Sequence, residues 1–134
     1  MLVADNTAIA HLHIAGTLHP LARAAYVRDP EWLTVPLWRY EFINVLTMSL
    51  RAGHLVRAAA DEAVRLAAQR MAPHERVPDS LRVLDLAITH KITGYHAHYV
   101  ALAQSLSLPL LTEDKELLLK FPKTAVSLAA FAAS

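Results

Sequence analysis

A chain of 134 residues is long enough to bury one hydrophobic core and too short for two, so a single domain spanning residues 1–134 is expected. Its 13 basic and 12 acidic residues leave a formal charge of +1, which excludes a polycationic nucleic-acid binder; any contact with nucleic acid must come from a local feature. The absence of cysteine excludes disulfide scaffolds and thiolate chemistry and agrees with a cytoplasmic location, and no apolar run is long enough to cross a bilayer.

The chain opens with Met1-Leu2-Val3-Ala4, an apolar run ended by Asp5, which reads as a buried strand rather than a basic region leading into a signal segment. Helices are expected from Thr7 to about Ala15 and from Leu18 to Val27, then a strand over Trp32 to Val35. Pro36 suits the first turn of the next helix, with Thr34 or Val35 as its cap and Gly53 as its stop. Leu55 to Met71 is another helix, and His74 to Val77, bracketed by Pro73 and Pro78, is an inner strand or only a connection. Asp79 caps a helix running to about His90, Gly94 breaks it, and Tyr95 to Ser107 is helical. A strand over Leu108 to Leu111, a helix over Glu113 to Leu119, an edge strand over Thr124 to Leu128 and the apolar tail Ala129 to Ala133 complete the chain. Strands alternating with helices predict an α/β domain with a short central parallel sheet.

In such a sheet, function collects beyond the C-terminal ends of the strands. Asp5 follows the first strand and Asp114 follows Leu110-Leu111-Thr112, so two carboxylates are expected at one edge. Like charges brought together resist joint ionisation unless a cation neutralises them. Glu41 adds a third acid from the start of a helix whose Leu37, Phe42, Ile43, Leu46 and Leu50 are apolar, although a buried ion pair with Arg39 or a neighbouring lysine would also account for it. Asn44 lies one turn on and is placed to orient Glu41 or a water. Thr7 and Thr112 supply hydroxyls for the acids or for a phosphate, Thr112 serving equally as a helix cap. Oxygen-rich, incomplete coordination suits Mg²⁺ or Mn²⁺ and, with it, attack on a phosphodiester.

Tyr95-His96-Ala97-His98-Tyr99-Val100-Ala101-Leu102-Ala103, followed by Leu111-Thr112-Glu113-Asp114, resembles the C-terminal half of PIN-domain ribonucleases, particularly VapC-type toxins of toxin–antitoxin pairs. Val3-Ala4-Asp5-Asn6-Thr7 and Glu41-Phe42-Ile43-Asn44-Val45-Leu46 are similar to that family's opening and central helix, so the matches run in family order over nearly the whole chain. The resemblance implies a three-layer α/β/α fold, a metal-dependent endoribonuclease with catalytic Asp5, Glu41, His96 and Asp114, an RNA substrate, a cognate antitoxin and a homodimer.

His96 departs from the family pattern, which has an acid there. It reads as an imidazole ligand in a modified metal site, as the mark of a weakened or inactive nuclease, or as an engineered substitution. His98 does not replace it, because two residues along a helix rotate the side chain by about 200°. The spacings His11-x-His13 and His96-x-His98 lack the helical pairing or the cysteines of a zinc site.

The rival readings are a PIN-like binding module that has lost catalysis and a phospho-acceptor receiver domain; the latter needs paired acids at the first strand, where Asp5-Asn6 stands. With 54% hydrophobic residues and the apolar tail, self-association is expected independently of the resemblance.

Overall fold

β1 (Leu2–Ala4) is a central strand of a four-stranded, all-parallel sheet in the order β2 (Trp32–Leu33), β1, β3 (Leu110–Leu111), β4 (Ala125–Val126). The computed structural model describes all of residues 1–134. Successive strand residues face opposite sides of a sheet, and each strand here is apolar on both sides. Leu2, Ala4, Trp32 and Leu111 enter one core, while Val3, Leu33 and Leu110 enter the other. Continuous apolar runs of this kind need cover on both faces, which makes the architecture a three-layer α/β/α sandwich.

One outer layer is built from α1 (Asn6–His13), α2 (His19–Arg28), α3 (Trp38–Arg51), α4 (Arg57–Met71) and α8 (Leu128–Ala133). The other is built from α5 (Ser80–His90), α6 (Gly94–Leu106) and α7 (Lys115–Lys120). From β1 the chain crosses to β2 on one side and later returns to β3 on the other. The crevice between the C-terminal ends of β1 and β3 is therefore the topological switch point of the sheet, the place where open α/β folds bind ligands.

Local differences from the expected elements have identifiable causes. α3 begins at Trp38 after Leu37, whose side chain caps nothing, because Val35 to Leu37 form a turn ahead of it. Gly53 does end that region, at φ 76°. His74 to Val77 is a connection: a 3₁₀ turn (Ala72–His74) leads to a single parallel bridge between Glu75 and Thr34. The break after α5 falls at Lys91, φ 54°, rather than at Gly94, which is the first residue of α6 and follows its cap, Thr93. The tail is helical. α8 packs on α2, buries Leu128 and sets Phe131 against the same layer, with the Arg28 guanidinium 5.7 Å from the Phe131 ring centre.

Candidate active site

Asp5 is held from both sides of the switch point, by the start of α1 and by the turn after β3. It is the N-cap of α1: Oδ1 accepts from the Thr7 N–H at 2.9 Å, the Ala8 N–H at 3.2 Å and the Thr7 hydroxyl at 2.6 Å. Oδ2 accepts from the hydroxyl of Thr112, at the end of β3. Each threonine is also an acceptor, Thr7 Oγ1 from the Glu113 N–H at 2.8 Å and Thr112 Oγ1 from the Asp114 N–H at 3.0 Å. The two hydroxyls thus lace the β1 and β3 termini together through one carboxylate. Burial nevertheless wins over these donors and pushes the Asp5 carboxyl up to about 6. An ionised Asp5 is short of positive charge.

Glu41, in the first turn of α3, accepts the phenolic proton of Tyr99 on α6 at 2.5 Å. Tyr99 is buried, and burial followed by the charges of Glu41 and Asp5 drives its phenol far above the ordinary range, so it remains a donor. Glu41 does not pair with Arg39, which instead binds Glu75 at 2.7 Å. Asn44 does not reach Glu41; it is exposed and points its amide at Met48 Sδ, 3.8 Å away.

Asp114 is the N-cap of α7, Oδ1 accepting from the Leu117 N–H at 3.0 Å, so the capping role belongs to it and not to Thr112. Its Oδ2 lies 3.4 Å from His96 Nε2, and the other ring nitrogen of His96 lies 3.4 Å from Glu116 Oε1. Glu116 is flanked in turn by the Lys120 ammonium at 3.4 Å. His98 turns away and contacts the Gly94 carbonyl of its own helix at 2.5 Å. His13 and His19 likewise contact main-chain carbonyls, of Ile9 and His11, so the histidines of the first half form no metal cluster.

The arrangement is therefore a buried knot of Asp5, Thr7 and Thr112, a Glu41–Tyr99 pair beside it, and a more open chain of Asp114, His96 and Glu116. No three His, Asp or Glu side chains converge closely enough to hold an ion as they stand. The donor chemistry does fit a hard divalent cation: carboxylates at one sheet edge, one of them buried and lacking a counter-charge. Tyr99 and Glu116 are the neighbours that residue-by-residue reading missed. Tyr99 sits three residues beyond His96 and so on a neighbouring part of the same helix surface, while Glu116 stands in the first turn after Asp114.

A relative, the ribonuclease VapC3 of Pyrobaculum aerophilum, is 33% identical over 127 residues, covering 90% of this chain and 95% of the relative. A crystal structure of PAE2754, also from Pyrobaculum aerophilum, superposes with a TM-score of 0.78 at 26% identity and covers 99% of this chain and 97% of that one. No family model matches the sequence.

Proposed function

The chain belongs to the VapC family of PIN-domain ribonucleases, and from that premise we propose that it is the endoribonuclease toxin of a toxin–antitoxin pair, dependent on Mg²⁺ or Mn²⁺ and working in the cytoplasm. The single observation that carries the reading is Asp5: a carboxylate almost completely buried at the switch point, fixed by donors from the start of α1 and from Thr112 just after β3, and lacking a counter-charge. An acid kept in that condition is suited to binding a cation, and its neighbours are suited to an RNA phosphate.

Asp5, Glu41 and Asp114 would hold the ion, with His96 at its margin. When bound, it supplies positive charge for the phosphate oxygens and acidifies a water. The residues of the chain do the rest. Thr7 and Thr112 fix the Asp5 carboxylate in one orientation, and Tyr99 does the same for Glu41, so neither acid has to reorganise as negative charge builds on the phosphate. His96 stands between Asp114 and Glu116 and is available to hold a proton there. The antitoxin, like RNA, would be recognised outside this buried knot, and a symmetric dimer is part of the same reading.

Two observations favour the alternative of a binding module that has lost catalysis: the acids do not converge, and an imidazole stands at position 96, where the family pattern has an acid. Cleavage of single-stranded RNA by the purified chain, with Mg²⁺, with Mn²⁺ and with a chelator, decides between them. Cation-dependent cleavage that Asp5→Asn abolishes supports the nuclease; absence of cleavage under all conditions supports the module.

A further inference from the structure

A cavity of about 450 Å³ opens between α1, α2 and α4, and its walls carry His13, His19, Arg23, Tyr26 and Arg70 but no acid. Helical spacing brings them together: His19, Arg23 and Tyr26 follow one another at four and three residues along α2, Arg70 stands one turn beyond Leu66 on α4, and His13 ends α1. Arg39, Arg57, Arg65 and Arg82 each pair with a carboxylate, whereas Arg23 and Arg70 pair with none. The Arg70 guanidinium lies over the Tyr26 ring instead, 5.1 Å from its centre. Main-chain carbonyls pin both histidines, His13 Nδ1 donating to Ile9 at 2.7 Å and His19 Nδ1 to His11 at 2.9 Å, so each ring keeps Nε2 as its free nitrogen. His13 Nε2 is the only buried side-chain nitrogen of the chain without a hydrogen-bond partner, and native proteins leave few polar atoms in that condition.

We propose that this cavity binds a small organic phosphate monoester, with its phosphate between the guanidinium groups of Arg23 and Arg70. Guanidinium forks match phosphate oxygens two at a time. A phosphate monoester carries close to two negative charges at neutral pH, which balances two arginines, and its three terminal oxygens can accept from both forks and from the Tyr26 hydroxyl. One carboxylate has too few lone pairs to serve all of these donors. The cavity is larger than a bare phosphate needs and falls in the range of about 300–1,000 Å³ typical of small-molecule sites; Leu12 and Leu66 in its wall leave an apolar side for the organic part. Burial holds the His13 imidazole down to about 4, and the charges of Arg70 and His19 act in the same direction. A bound anion counters those charges, so that Nε2 can take a proton from solvent and become a further donor. His13 lies eight residues beyond Asp5, about 12 Å along α1, so the cavity is separate from the acids and the proposal does not rest on the nuclease reading.

Calorimetry on the full chain in chelator, which removes cation-bridged binding at the acids, tests the proposal with AMP, adenosine, glutarate and a short oligoribonucleotide lacking terminal phosphates. AMP is expected to bind, and adenosine and glutarate to bind at least about tenfold more weakly. Arg70→Gln should weaken AMP binding by about tenfold or more, and Arg51→Gln, at the end of α3 and outside the cavity, should leave it unchanged. Because Arg70 also covers Tyr26, Arg23→Gln repeats the test without disturbing that contact, and it decides alone if Arg70→Gln loses its helical circular dichroism. No AMP binding at about 10 mM overturns the proposal, as does AMP binding that survives both arginine changes. Glutarate binding as tightly as AMP would make the site one for carboxylates, and the oligoribonucleotide displacing AMP at equal affinity would make it a contact for RNA; either result overturns the monoester assignment.

Discussion

The Tyr99 hydroxyl donates to Glu41 Oε1 at 2.5 Å, joining α6 to α3 across 58 residues of sequence and setting one acid of the site by means of a buried phenol. Hydrogen bonds to charged groups contribute about 1.5–3 kcal/mol, so Tyr99→Phe should lower stability by about 2 kcal/mol. It should also reduce RNA cleavage severalfold, because Glu41 loses its fixed orientation. Urea unfolding and cleavage rates measured together check this; a variant that loses stability alone would limit Tyr99 to a packing role.

Asp5→Asn, Glu41→Gln and Asp114→Asn should each lower cleavage at least about tenfold while leaving the fold intact. Asparagine remains a good N-cap at positions 5 and 114, so the helices α1 and α7 keep their starts and only the charge is lost. Circular dichroism and a cleavage assay on the three variants suffice. Parent-like cleavage by all three would remove these acids from the active site.

Two buried groups give stability opposite pH slopes. Burial pushes the Asp5 carboxyl up to about 6 in the folded chain from the ordinary 3.8, so between these values the native state binds the extra proton and stability falls as pH rises. His13 is lowered to about 4 from 6.5, chiefly by burial, so between 4 and 6.5 the unfolded state binds the extra proton and stability rises with pH. Each contribution is about 3 kcal/mol, and in the parent they largely cancel. Relative to the parent, His13→Asn should therefore lose stability as pH climbs from 4 to 6, and Asp5→Asn should gain it. Denaturation midpoints at half-unit pH intervals resolve the two slopes; identical profiles for parent and variants would refute the opposition.

His96 faces two carboxylates, Asp114 and Glu116, each at 3.4 Å. His96→Asp would put a third acid between them, costing stability without a cation and strengthening the site for Mg²⁺, which prefers oxygen ligands. The variant is expected to melt below the parent in chelator, to rise more on addition of Mg²⁺, and to bind Mg²⁺ more tightly by calorimetry. Unchanged Mg²⁺ affinity would put residue 96 outside the cation's reach.

The parallel sheet was legible because Leu2-Val3-Ala4 and Leu110-Leu111 are apolar without alternation, a pattern that only a doubly covered strand can bury. Positions 91 to 94 were harder: glycine is the usual helix breaker, yet here Lys91 takes the left-handed conformation and leaves Gly94 free to start α6. α8 was invisible as a helix because six mostly small apolar residues have too little pattern of their own; contact with α2 organises them. The acids at the strand ends could be placed from strand order. Their partners could not, since Tyr99 reaches Glu41 through tertiary packing, and Glu116 meets His96 only once α7 lies beside α6.

Glu113, next to Asp114, accepts the N–H of Leu128 at 2.8 Å, fastening the turn after β3 to the first residue of the last helix. The chain end is thus a strut for the segment that carries Thr112 and Asp114. Shortening the protein before Leu128 would strip cover from α2 and free the Glu113 side chain, and the disturbance would arrive at the acids from behind, through the backbone that aims them. A bulky extension on Ser134 hangs instead from the outer end of that strut, where the final residues are exposed, which makes the C-terminus the gentler place to attach a reporter.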